Sequence, residues 1–261
     1  MFSADMLTIL APAFLAGAVI SLAHVPLGIE VLKRGIIFLD LAVAQFAALG
    51  MIAFHVFFEN HAMAPEYAAV GSLAFGLGLA LTCALSLHMM EKWAGRYQEA
   101  MIGGAFIFAT SLGVLLMAGD PHGGEQMKDI LSGQILWITW DDLIFYGPVF
   151  IFVAGIWIYL KATRSKMFYI LFALTIPFSV NLIGVYLVFT SLILPALATV
   201  KMQHGRYVTG YFISVIAFAL GLIASYVWDM PSGPAIVMAM FLVSIFYAIF
   251  QLYRAQTMKL A

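Results

Sequence analysis

Asp40 is the single acid in the uncharged, apolar run Ile36–Phe58, six residues beyond the basic pair Lys33–Arg34. A carboxylate in a run long enough to cross a bilayer is costly, and such residues are usually functional or paired. Two chemistries suit it. It can ligate or gate a cation, or it can partner a Lys or Arg near the membrane surface. Gln45 is the next polar side chain on the same run, but five residues of helix rotate it about 140° from Asp40. A regular helix therefore does not aim both at one ion. His24 is a third candidate ligand, with Pro26 and Gly28 breaking the helical pattern beside it. An imidazole satisfied by the backbone groups a proline frees is the alternative reading.

The other ionisable side chains read more plainly. Glu30 stands three residues before Lys33 and four before Arg34, the spacing of an ion pair on a helix surface. His55 and His61 flank the far end of the Asp40 run, and His122, Glu125 and Asp129 share a polar connection. These residues can meet an incoming cation or simply be solvated. His88 and His204 sit near ends of apolar runs, where the side chain can reach the interface.

The elements that must position these residues are transmembrane helices. Of 261 residues, 64% are hydrophobic and 10% are charged, far from the balance of a soluble domain. Apolar runs of about 20 residues match a helix crossing roughly 30 Å of hydrocarbon. Alternating segments of about ten residues, expected of a barrel, are missing. The fold class is an all-α polytopic bundle of eight or nine spans, reading as one domain over 1–261. Crossings are placed at 7–29, 36–58, 67–90, 99–118, 142–160, 167–182, 184–200, 207–228 and 233–253. The sixth and seventh meet at Asn181–Gly184 and are either two spans or one span with a re-entrant piece.

Charge placement orients the bundle. Eleven of the twelve Lys and Arg residues fall in alternate connections or the C-terminal tail, with Lys128 the exception. Asp5, Glu59, Glu66, Asp120, Glu125, Asp129, Asp141, Asp142 and Asp229 fall in the remaining segments. The basic side is expected to be cytoplasmic. That places the N-terminus outside, the C-terminus inside and an odd number of crossings between them. The first helix has no basic n-region and no small-residue cleavage site, so it is expected to be retained. Cys83 is the lone cysteine, which excludes an intramolecular disulfide and a thiolate metal cage. The connection Gly119–Asp142 carries Trp137 and Trp140, residues suited to the membrane interface. Small residues at Ala44/Ala48, Gly76/Ala80 and Gly103/Gly104 suit close helix packing.

Nucleotide-binding and hydrolytic motifs are missing: no GxxxxGK[ST], HExxH or GxSxG occurs. A conduit or scaffold is favoured over an enzyme. Two further segments stand out. Gly184–Thr199 carries Pro195 near its basic end, and Asp229–Pro234 (Asp-Met-Pro-Ser-Gly-Pro) leads into the last run, where Asp or Ser can cap a helix start.

Taken together, Pro26-Leu27-Gly28, Lys33-Arg34, Asp40, Gly184–Thr199 with Pro195, and Asp229–Val237 with Pro231 and Gly233 resemble the permease subunits of zinc/manganese-type ABC importers. The resemblance holds in order and rough spacing over nearly the whole chain. It implies a multi-pass protein of a bacterial plasma membrane, without a permanently bound cofactor, that passes a divalent metal. It also implies a cytoplasmic ATPase, an extracytoplasmic metal-binding protein and a homodimer. Asp40 with Gln45 and His24 would face the metal. Two positions depart from the family pattern. Ala44 replaces the histidine usually four residues after the Asp, removing a ligand that zinc favours. Lys161–Lys166 is too short for the amphipathic helix that normally docks in the ATPase, leaving His88–Gln98 as the alternative docking connection. A carrier that works without ATP, or an assembly subunit without transport, would explain the same chain.

Overall fold

The structure is a computed structural model that describes residues 4–58, 64–117, 131–133, 135–159 and 164–260. Glu59, His61, Asp120, His122, Glu125, Lys128, Asp129 and Lys161 lie outside the described residues. The helices are α1 (Ala4–Arg34), α2 (Leu39–Phe57), α3 (Pro65–Ala94), α4 (Gln98–Met117), α5 (Trp140–Tyr159), α6 (Arg164–Ala198), α7 (Arg206–Trp228) and α8 (Ser232–Leu260). Short 3-10 turns occur at Gly95–Tyr97 and Ile135–Trp137. All eight α-helices are long and apolar enough to cross a membrane. Hydrocarbon offers no hydrogen bonds to a backbone, so segments of this composition close their peptide groups internally as helix.

The expected runs 167–182 and 184–200 lie in α6, which is two helical pieces meeting at a kink at Gly184, where φ is 74° and ψ is 163°. A residue with a Cβ rarely adopts that conformation, and glycine adopts it freely. The break therefore falls at the end of the Asn181–Gly184 junction named from sequence.

The chain forms two compact units. The first comprises residues 1–34, 135–154 and 190–261. In it α1 packs along α7, and α7 along α8, while the turn Ile135–Trp137 rests on α1 and α8. Its interior is lined by Ile20, Leu27, Phe150, Ala196 and Phe218. The second comprises 35–134 and 155–189, with α2 packed between α3 and α4. Phe54, Phe58 and Phe75 cluster at one end of its α2–α3 contact, Phe54 stacked on Phe58 and Phe75 tilted against both.

The small residues divide into two groups. Ala44, Ala48 and Ala80 are buried, and a Cβ on Gly76 would meet the Ala47 carbonyl and the Met51 side chain. Gly103 and Gly104 have open space where a Cβ would stand, so they do not mediate packing among the described residues. Helical spacing alone does not reveal whether a small residue faces a neighbour or faces lipid. Trp137 and Trp140 are exposed, as suits interfacial tryptophans.

Candidate functional site

Within the first unit, α1 carries the polar centre. A Cβ on Gly28 would overlap the Leu192 carbonyl, and one on Gly17 would overlap the Phe218 ring. Glycine at these points lets α1 approach its neighbours closely enough for short side chains to meet. Ser21 donates to the Gly17 carbonyl at 2.6 Å and shares a 2.8 Å hydrogen bond with Ser214. One turn on, His24 Nδ1 shares a 2.8 Å bond with Ser191 Oγ, and Phe150 meets the imidazole edge-on. His24 is wholly buried. The partner of His24 is thus a side chain on α6, in addition to whatever backbone Pro26 frees. Two other buried hydroxyls bond to carbonyls one turn earlier in the chain. Thr175 donates to the Leu171 carbonyl and Thr199 to that of Pro195.

Pro195 lies in the last turn of α6, where Arg206 also donates to the Ala196 carbonyl at 3.0 Å. Two features therefore occupy carbonyls that a helix end leaves open. Asp229 has a different task from the capping expected of it at the start of the last helix. It ends α7 in the left-handed conformation (φ 50°, ψ 45°), its N–H donating to the Ser225 carbonyl. It is the one non-glycine residue with positive φ among the described residues. Asp tolerates this region better than most side chains. Pro231 accepts from the N–H of Ala235 and Ser232 opens α8, with Gly233 in its first turn.

The second unit holds Asp40 and Gln45, both buried. Asp40 Oδ1 accepts from the N–H of Leu41 at 2.8 Å, while Oδ2 is sealed from solvent without a hydrogen-bond partner. The Lys/Arg partnership open to Asp40 from sequence does not form among the described residues. Arg34 instead pairs with Glu30 on its own helix at 3.1 Å, the pair their spacing predicts.

The structure adds an acid that sequence reasoning passed over. Glu99, at the start of α4, accepts from the N–H of Ile37 at 2.7 Å. The start of α2 has no side-chain cap of its own, so a carboxylate from another helix occupies that end. Ile37 lies three residues before Asp40, so this hydrogen bond brings the Glu99 carboxylate to the turn that carries Asp40. No signal in the sequence connects two acids 59 positions apart. His88 rests against the Tyr169 ring and contacts Glu91 at 3.3 Å, which is more than snorkelling. Among the described residues no three His, Cys, Asp or Glu side chains converge as a metal cage would require.

Among the described residues, eight apolar helices, close glycine contacts and a few sealed polar side chains define a multi-pass helical membrane protein. The profile of the ABC 3 transport family matches residues 6–164 and 152–251. The chain belongs to that family and is a membrane permease. It is similar to the high-affinity zinc uptake system membrane protein ZnuB of Haemophilus influenzae, 28% identical over 92% of this chain and 98% of that one. It is also similar to a probable metal transport system membrane protein of Chlamydia trachomatis, 23% identical over 89% and 85% of the two chains. In fold it resembles PsaBC from Streptococcus pneumoniae, solved in complex with Fab, with a TM-score of 0.71, 18% identity and 93% coverage of each chain.

Proposed function

We propose that this permease carries a divalent metal, zinc or manganese, inward across a bacterial plasma membrane as the pathway subunit of an ABC importer. The observation that carries the reading is Asp40, a carboxylate sealed inside an apolar helix with one oxygen left without a partner. Membership of a transport family over nearly the whole chain supports it, as do relatives whose names refer to zinc uptake and metal transport. In the second unit Asp40 lines or gates the path and Gln45 supplies a further polar group, and in the first unit His24 is a metal-facing candidate of its own. Pro195, Asp229, Pro231 and Gly233 shape helix ends of the first unit. The chain itself performs no chemistry. ATP is hydrolysed by a separate cytoplasmic subunit, metal is delivered by an extracytoplasmic binding protein, and two copies of the chain pair, each a single permease domain.

The ATPase is met by the connection between α3 and α4. There His88–Gln98 leaves helix at Gly95 through a 3-10 turn, with Met89 and Tyr97 exposed. Only four residues, 160–163, separate α5 from α6. That brevity favours a second reading, an ATP-independent carrier on the same scaffold.

Uptake of radioactive zinc and manganese by cells that depend on this chain separates the readings. Asp40→Ala is expected to lower uptake at least tenfold at equal membrane abundance, and unchanged uptake would remove Asp40 from the path. Copurification of an ATPase is expected. Uptake that persists without that ATPase would establish the carrier.

A further inference from the structure

The turn into α2 and the first turn of α4 bring two carboxylates to one end of the second unit. Leu39 N–H closes the turn onto the Ile36 carbonyl at 3.1 Å, and Glu99 Oε1 accepts from Ile37 within that turn at 2.7 Å. Asp40 follows one residue later, with Oδ1 held by the N–H of Leu41. Each acid therefore commits one oxygen to the backbone. The remaining oxygens, Asp40 Oδ2 and Glu99 Oε2, are both buried and have no hydrogen-bond partner. The adjacent Gln98 Nε2 is buried without a partner as well. Burying a charge without compensation costs far more than burying a hydrogen-bonded one, and two like charges in reach of each other add to that cost. A cation between the free oxygens, or a proton, removes the cost.

We propose that Asp40 and Glu99 form a two-carboxylate binding site for a hard divalent cation, with Glu99 supplying the ligand that Ala44 does not. The inference rests on the permease reading and deepens it by naming a second ligand and a preference among metals. A donor set of carboxylate oxygens suits manganese, whereas zinc favours nitrogen and sulfur.

The test is equilibrium binding of Mn²⁺ to the full chain in lipid nanodiscs, with free Mn²⁺ read from its paramagnetic resonance signal. Wild type is expected to bind Mn²⁺, with zinc competing no better than manganese. Asp40→Asn and Glu99→Gln are each expected to weaken binding at least tenfold. Glu99→Gln keeps an oxygen that can accept from Ile37, so a purely structural brace predicts wild-type binding and an unchanged melting temperature. Wild-type affinity in Glu99→Gln overturns the pair, and a loss confined to Asp40→Asn would leave Asp40 acting alone. If Glu99→Gln is not recovered folded, Glu99→Asp poses the same question, with a threefold or larger change expected and no change overturning the pair. Zinc displacing manganese at lower concentration overturns the preference. Absence of Mn²⁺ binding by wild type overturns the site, while cellular uptake separately decides the permease reading.

Discussion

At the scale of single residues, burial and partnership separate side chains that look alike in sequence. Gly28 and Gly78 are both helix glycines, yet a Cβ would strike the Leu192 carbonyl at the first and meet nothing at the second. Backbone cannot yield as a side chain does, so Gly28→Ala is expected to cost about 1–3 kcal/mol in a denaturant titration of the micellar protein. Gly78→Ala should range from neutral to about 1 kcal/mol stabilising, because alanine is the better helix former. Ser191→Ala removes the hydroxyl bonded to His24 and should cost about 0.6 kcal/mol, at most about 1.7, the range for hydrogen bonds between membrane helices. Asp40 and His24 were legible from sequence because an ionisable group in an apolar run is conspicuous. Ser191 was not, because serine is common in such helices and its partner lies 167 positions away. Glu99 was not either, because an acid in a helix's first turn has an ordinary reason to be there.

At the scale of elements, α6 shows why span counting from hydropathy is ambiguous. Residues 167–200 are continuously apolar, and only the conformation at Gly184 divides them. Gly133, also left-handed with φ 69°, lies directly against the Ile183 carbonyl and the Gly184 nitrogen. Each glycine occupies the space a Cβ on the other would need. Gly184→Ala combines left-handed strain of about 1–2 kcal/mol with a steric clash, so a loss above about 2 kcal/mol is expected from thermal unfolding. Gly133→Ala should do the same, and the double variant should deviate from additivity because both changes disturb one contact. The helices themselves were placed from sequence to within a few residues at most boundaries, since composition decides them. Which small residues pack and which face lipid depended on neighbours the sequence does not name, as Gly103 and Gly104 illustrate.

At the scale of the whole molecule, the Lys/Arg bias predicts which side of the membrane each connection faces. It calls for an N-terminus outside, a C-terminus inside and an odd number of crossings, which the eight helices among the described residues satisfy when α6 counts as two crossings divided at Gly184. Reporter enzymes fused after Leu260 and within 199–205 are accordingly expected to read cytoplasmic, and one fused within 131–133 to read external. A cytoplasmic reading at 131–133 would reverse the assignment. Family membership, by contrast, was legible in full from three short motifs in order. The contact between Gly133 and Gly184 also bears on how the chain is made. Residue 133 leaves the ribosome 51 residues ahead of its steric partner, and Ile135–Trp137 rests on α8, which is synthesised after α5, α6 and α7. The short stretch 133–137 therefore waits, unfinished, until α8 has been inserted. A chain stalled before α8 would leave it exposed.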